Sequence, residues 1–108
     1  MPVTRDTPPA TLGDLIAGPP RATVTFVRDG EAEILPVRAQ CTTVAYAFAA
    51  DADLEGREVV LVLDDGPYWF ELRGISVRGT SRGVAPGHWA IDARRIVAWD
   101  YGAIREEP

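Results

Sequence analysis

The feature that most constrains the fold is a succession of short segments in which apolar residues occupy every second position. In residues 22–28, ATVTFVR, Val24 and Phe26 share one face, and the Asp29-Gly30 pair that follows is typical of a tight β-hairpin. Successive side chains of a strand point to opposite sides of a sheet, so this alternation predicts strands that bury one face. Residues 32–40, AEILPVRAQ, continue the alternation and complete the hairpin.

The later part of the chain has the same strand-like character. We predict strands over residues 43–49, 58–66 and 68–79, a loop over 80–87, and strand segments at 88–91 and 94–102. The unbroken VVLVL core of residues 59–63 is typical of a strand buried on both faces. Six or seven short strands with hairpin spacing predict a closed antiparallel barrel.

One short helix is expected before the strands. Residues 11–20 read TLGDLIAGPP, which places Thr11 as the N-cap and Gly18 with Pro19 as the stop. The apolar residues Leu12, Leu15 and Ile16 would then form a small face that plugs one end of the barrel.

Residues 69–81, WFELRGISVRGTS, change the phase of the alternation at a glycine. Phe70 and Leu72 fall on even positions, whereas Ile75 and Val77 fall on odd ones. A long strand in a small barrel must bend, and a β-bulge with glycine is the usual device. We therefore predict a bulge at Gly74, the alternative being an irregular amphipathic pattern.

Charge and composition exclude several kinds of function. The net charge is −5, which opposes binding to nucleic acid, and all eleven basic residues are arginine, so lysine-based catalysis is excluded. Cys41 and His88 are the only residues of their types, so neither an internal disulfide nor a cysteine/histidine zinc site can form within one chain. We predict no catalytic and no metal-binding residue. His88 is expected in a solvated loop and Cys41 as a small buried filler.

The chain is long enough for one domain and too short for two. We expect residues 1–10 to be a flexible tail and residues 11–108 to form a single domain. No apolar run could cross a bilayer, and no signal peptide is recognisable, so a soluble cytoplasmic protein with no membrane partner is expected.

Three strings, taken in order, resemble the FMN-binding split barrels of the pyridoxamine 5′-phosphate oxidase-like family. They are FVRDGEAEILPV, VVLVLDDGPYWFELRGISVRGTS and RRIVAWDYGAIRE, and the resemblance runs from about residue 12 to residue 105. It implies a mainly β fold: a six- to seven-stranded antiparallel split barrel of Greek-key type with one short N-terminal helix. It also implies a homodimer that holds FMN or a deazaflavin in a groove between subunits and acts as a small-molecule oxidoreductase.

The resemblance also implies where the cofactor would lie. The strand carrying Pro36, Val37 and Arg38 would run along the flavin ring, the strand at 43–49 would lie beside it, and the phosphate would sit near the segment that follows. The cofactor-binding residues so implied are Pro36, Val37, Arg38, Tyr46, Phe48, Arg57, Trp99 and Tyr101. For Trp99 and Tyr101, packing against a partner subunit remains an equal alternative.

The segment AADADLEGRE, residues 49–58, departs from the family pattern. Arg57 is its only base, and four acids surround it, whereas a phosphate site favours positive charge and hydrogen-bond donors. The segment could instead be a solvated acidic loop. The alternative function is therefore a non-catalytic dimeric split barrel, a binding or structural module with a degraded cofactor site.

Overall fold

The computed structural model describes residues 12–19, 21–42, 45–65 and 73–100, which form one short helix and a single sheet of seven antiparallel strands. The elements are α1 (Gly13–Ala17), β1 (Arg21–Arg28), β2 (Glu31–Pro36), β3 (Arg38–Cys41), β4 (Tyr46–Ala49), β5 (Glu58–Asp64), β6 (Arg73–Ala85) and β7 (His88–Asp100). The strand order is β2-β1-β5-β6-β7-β4-β3. The predicted tail at residues 1–10 lies outside the described residues.

The first hairpin forms as the sequence predicts. Asp29 and Gly30 both have positive φ, 54° and 80°, which is the conformation of a two-residue type I′ turn. Val24 pairs with Leu35 across the two strands. Val24 and Phe26 are almost completely buried, as the alternation in β1 indicates.

The sheet curls until its two edge strands meet. β2 and β3 lie at opposite edges, yet only Val37 separates them in the chain. The predicted single strand at 32–40 therefore divides at Val37, whose amide donates to the carbonyl of Ala22 at 3.0 Å. No ladder joins β2 to β3 in the described part of the chain, so the barrel is split, as the resemblance implied, whereas the hairpin spacing alone predicted a closed one.

The order of the other strands gives the Greek-key topology. β5, β6 and β7 follow one another as hairpins, and β4, which precedes them in the chain, lies beside β7. The mainly β split barrel with one short helix is thus confirmed.

The helix closes one end of the barrel. Leu12, Leu15 and Ile16 are buried in the core, and α1 contacts β3, β5 and β6. Its N-cap is Leu12, which supplies no side-chain hydrogen bond, whereas Thr11 was expected there; Thr11 lies outside the described residues. No described helix is both long and apolar enough to cross a membrane.

β5 buries one face completely and the other only in part. Val59, Leu61 and Leu63 have no exposed surface, whereas Val60 and Val62 are half-buried. The outer face of β5 is therefore partly open, although the VVLVL pattern predicted burial on both sides.

The ladder between β6 and β7 has two irregularities, one at Gly79 and one between Gly83 and Ala85. The pairing of β6 with β7 is continuous from Arg73 to Arg78 and then shifts, so that Arg94 of β7 has no partner opposite. The predicted bulge at Gly74 is wrong, because Gly74 lies in the regular part of this ladder. Residues 66–72, which carry the first half of the predicted phase change, lie outside the described residues. Ile75 and Val77 face the core as expected.

β6 and β7 form one long hairpin where the sequence predicted a loop and two short segments. β6 continues to Ala85, and the chain reverses at Pro86 and Gly87, where Gly87 has a φ of 72°. The polar stretch keeps strand geometry because it pairs with the first residues of β7. Ser81, which is fully buried, also donates a side-chain hydrogen bond to the carbonyl of Leu54.

Candidate functional site

Two surface clefts contain sequence-predicted arginines, and a third, along β4 and β7, is lined in part by Tyr46. The first, which we name the Arg38 cleft, has a volume of about 640 Å³ and is lined by Pro36, Val37, Arg38, Ala49, Ala50, Asp51, Pro86, Gly87 and His88. The second, the Arg78 cleft, has a volume of about 510 Å³ and is lined by Thr25, Phe26, Val27, Arg57, Glu58, Val60 and Arg78. These two sets share no residue.

The Arg38 cleft is formed by the register of three neighbouring strands, β3, β4 and β7. Arg38 of β3 pairs with Ala49 of β4, and Ala49 pairs with His88 of β7, so the three side chains lie in a row on the same face. Phe48 faces the core, which places this row on the outside of the barrel. Because neighbouring strands lie about 4.8 Å apart, the backbones that carry Arg38 and His88 are separated by roughly 10 Å. The small Ala49 side chain leaves the space between them open.

Backbone hydrogen bonds hold the floor of this cleft. The amide of Ala50 donates to the carbonyl of Gly87 at 3.0 Å, and the indole Nε1 of Trp89 donates to the carbonyl of Ala50 at 3.2 Å. The β4 end and the β6–β7 turn are therefore fixed to each other. Asp51 is the one acidic residue in the lining.

The acidic connector between β4 and β5 is anchored to the barrel. Leu54 is fully buried, and the amide of Gly56 donates to the carbonyl of Ser81 at 2.9 Å. Its acids remain at the surface, where Glu55 accepts a hydrogen bond from the amide of Gly83 at 3.3 Å. The connector is thus more ordered than a solvated loop.

The anchored connector directs Arg57 to the Arg78 cleft. Its guanidinium donates to the carbonyl of Asp53 and to that of Val27, each at 3.1 Å. Arg57 therefore does not line the Arg38 cleft, although the resemblance grouped it with Arg38.

The described arginines fall into two groups. Five of them form ion pairs with carboxylates: Arg21, Arg28, Arg73, Arg82 and Arg94. The other four, Arg38, Arg57, Arg78 and Arg95, have no carboxylate within ion-pair distance among the residues that the structure describes. Three of these four line the clefts, and Arg95 pairs with Arg78 across the sheet.

Arg73 illustrates the paired group. Its guanidinium contacts Asp65, the residue after β5, and Asp14 of α1, with 3.0 Å to the Asp14 Oδ2. The hydrogen bond from Arg73 lowers the pKa of Asp14. The hydrogen bonds to Asp14 and Asp65 together raise the pKa of Arg73. These contacts tie α1 to the sheet, which is a structural role.

The aromatic residues implied as ligand contacts lie in different surroundings. Tyr46 and Phe48 are core residues with 3% and 2% of their surface exposed, and neither lines the Arg38 cleft. Burial raises the pKa of Tyr46. Trp99 is half-buried with its ring against Gly74, and its indole Nε1 has no partner among the described residues. Tyr101 lies outside the described residues.

Cys41 is half-buried and faces inward. Its Sγ donates to the carbonyl of Ala47 at 3.5 Å, and burial raises the pKa of the thiol. Among the described residues there is no group of three or more histidine, cysteine or acidic side chains placed to hold a metal ion.

Sequence reasoning did not identify His88 or Arg95 as site residues. His88 was expected in a solvated loop, yet it begins β7 and lies in the row with Arg38. Arg78 and Arg95 occupy outward positions in strands, where an arginine is ordinary. Their pairing depends on the register between β6 and β7, which periodicity does not reveal.

The fold matches solved structures closely. The FAD binding protein from Mycobacterium smegmatis superposes with a TM-score of 0.72 and 14% identity, covering 88% of this chain and 95% of that one. The conserved hypothetical protein Rv2991 from Mycobacterium tuberculosis superposes with a TM-score of 0.69 and 16% identity, covering 92% of this chain and 88% of that one. At such identities the likeness shows the fold. No protein-family model and no curated protein matches the sequence.

Proposed function

We propose that this chain is a flavin-binding split-barrel protein that holds the cofactor in the Arg38 cleft and acts as a small-molecule oxidoreductase. The observation that carries the proposal is the fold, which is shared with a protein described as FAD-binding. FMN is the flavin that the sequence resemblance favours, and a homodimer with the site at the subunit interface is part of the proposal. The resemblance to the pyridoxamine 5′-phosphate oxidase-like family is its sequence support.

The residues of the Arg38 cleft fit an anionic, ring-bearing cofactor. The cleft volume of about 640 Å³ lies within the range usual for small-molecule sites. Arg38 is exposed and has no carboxylate partner among the described residues, so its guanidinium is available to a phosphate. Asp51, the one acidic residue that lines the Arg38 cleft, would repel an anion.

The chain itself would bind and orient the cofactor. A bound flavin would supply the hydride and electron chemistry, so oxidoreduction would not require a metal cluster, and the described residues form none. Arg38 and His88 would hold the anionic group from two sides of Ala49. Pro36, which has no amide hydrogen, offers the ring a flat apolar contact at the strand end.

Flavin binding is tested by titrating the purified protein with FMN, FAD and a deazaflavin while following the fluorescence of the flavin. We expect at least one of the three to bind at micromolar concentration, with Arg38→Gln weakening it by about tenfold, the loss of one charge-assisted hydrogen bond. Arg28→Gln is the matched control, because Arg28 is paired with Glu33 at the far hairpin.

Two further variants locate the cofactor. Tyr46→Phe leaves binding unchanged if the flavin lies in the Arg38 cleft, since Tyr46 is buried and does not line that cleft. Arg57→Gln also leaves it unchanged if the phosphate lies in the Arg38 cleft. Failure of all three flavins to bind would refute the proposal.

A second candidate is a non-catalytic split-barrel module, favoured by one observation. Arg57, the only base of the acidic connector, is committed to two carbonyl groups and lies away from the Arg38 cleft. In that case the protein remains colourless on purification, no flavin binds, and the barrel serves binding or assembly.

A further inference from the structure

A row of side chains on the outer face of the sheet combines two arginines with a small apolar platform. Thr25 of β1 pairs with Val60 of β5, Val60 pairs with Arg78 of β6, and Arg78 pairs with Arg95 of β7. The row faces outward because Leu61 and Val77, the next residues along their strands, are fully buried. It spans four adjacent strands, or roughly 14 Å.

The two arginines are placed where the sheet alone would not favour them. Like charges directly opposite on neighbouring strands repel, because their Cβ atoms are only about 5 Å apart. Neither Arg78 nor Arg95 has a carboxylate partner among the described residues, although the chain as a whole has a net charge of −5. The folded chain thus leaves a local positive charge that its many acids do not neutralise.

The acid nearest to Arg78 and Arg95 does not neutralise their charge. Glu58, the one acid lining the Arg78 cleft, is paired with Arg94 at 2.7 Å. Arg94 is the bulge residue of β7, and it is also hydrogen-bonded to Thr80 at 2.8 Å. Arg57 adds a third cation, fixed in place by the carbonyl of Val27.

We propose that the Arg78 cleft binds the phosphate group of a small organic phosphate ester, whose apolar part lies against Val60 and Thr25. Guanidinium groups bind phosphate oxygens through paired hydrogen bonds, and Arg78 in the cleft and Arg95 opposite it present two of them side by side. Arg57, whose Nε and Nη1 donate to carbonyl groups, adds positive charge to the cleft. The half-buried Val60 and Thr25 give the ester's body a flat surface beside them. This site does not depend on the flavin proposal, since the two clefts share no lining residue.

Binding is measured by calorimetry at low ionic strength with inorganic phosphate and phenyl phosphate as probes. We expect phenyl phosphate to bind, and to bind more tightly than inorganic phosphate. Arg78→Gln and Arg95→Gln should each weaken phenyl phosphate by about tenfold, the loss of one charge-assisted contact. Val60→Thr preserves the shape of the side chain but makes it polar, so it should reduce the difference in affinity between phenyl phosphate and inorganic phosphate.

Arg82→Gln is the matched control. Arg82 is an exposed arginine of the same strand as Arg78, but it is paired with Asp92. It should leave phosphate binding unchanged. Without ligand, Arg78→Gln should raise the melting temperature because it removes the repulsion, so loss of binding is separable from loss of folding.

Three outcomes overturn the inference. They are no binding of phenyl phosphate to the wild type, equal weakening by Arg78→Gln and Arg82→Gln, or equal affinity for the two probes. Loss of flavin binding with phosphate binding retained would remove the proposed function alone.

Discussion

At the scale of single residues, two glycines of β6 occupy positions where a side chain has no room. A Cβ at Gly79 would lie 2.2 Å from the carbonyl oxygen of Asp92, and one at Gly74 would lie 2.2 Å from the ring of Trp99. The obstacle at Gly79 is backbone, whereas the Trp99 ring is a side chain that can turn.

We expect Gly79→Ala to lower the free energy of unfolding by about 3 kcal/mol or more and Gly74→Ala by less, since overpacking usually costs 1–3 kcal/mol. Gly13→Ala is the control: a Cβ there meets nothing within 4 Å, and alanine in a helix is favoured over glycine by up to ~1 kcal/mol. Urea unfolding of the three variants measures the order. If Gly79→Ala and Gly13→Ala lowered the free energy of unfolding equally, the close approach of backbone at Gly79 would be contradicted.

Cys41 provides a second residue-scale prediction. Burial raises the pKa of its thiol, so little of the reactive thiolate form is present near neutral pH. We expect a thiol-specific disulfide reagent to label Cys41 at least about tenfold more slowly than a cysteine placed at the exposed neighbouring position by Gln40→Cys in a Cys41→Ser chain. Rapid labelling of Cys41 in the folded protein would show that the β3–β4 edge opens.

At the scale of elements, α1 is held to the sheet by apolar contacts and by one charged contact. Asp14 of the helix is paired with Arg73 of β6, and this pairing lowers the pKa of Asp14 from its ordinary value of 3.8. A carboxyl whose pKa is lower in the folded state stabilises that state when it is ionised.

The stabilisation by Asp14 should therefore be present above pH 3.8 and disappear as the pH falls through the lowered pKa. Asp14→Asn should melt at a lower temperature than the wild type at neutral pH, and the difference should vanish under acid conditions. Glu31→Gln is the control, because Glu31 is exposed and has no ion pair in the described part of the chain. A difference independent of pH would mean that Asp14 acts through packing alone.

At the scale of the whole molecule, the single sheet meets its own edge at Val37 and is filled by one apolar core. The expected homodimer is a property of this scale, since it depends on surfaces that no single strand defines. Light scattering should give twice the mass of the chain at micromolar concentration. A monomeric mass would contradict the homodimer but leave both ligand proposals testable on the single chain.

The sequence by itself determined the first hairpin, the short helix and which face each of them buries. The alternation in β1 and β2, the Asp29-Gly30 turn and the apolar face of α1 are local patterns, and local sterics and the hydrophobic effect make them readable. The same patterns predicted a long bent strand but placed its bulge at Gly74, because the choice between two glycines depends on what lies opposite.

Only the tertiary structure decided how the strands are aligned and therefore which side chains meet. The register across β3, β4 and β7 puts His88 in line with Arg38, and the register across β6 and β7 puts Arg78 opposite Arg95. The fixed connector sends Arg57 to a different cleft from Arg38. Alternation along a strand has a period of two and carries no information about the neighbouring strand. Which side chains lie opposite one another is therefore set by the long-range pairing of strands.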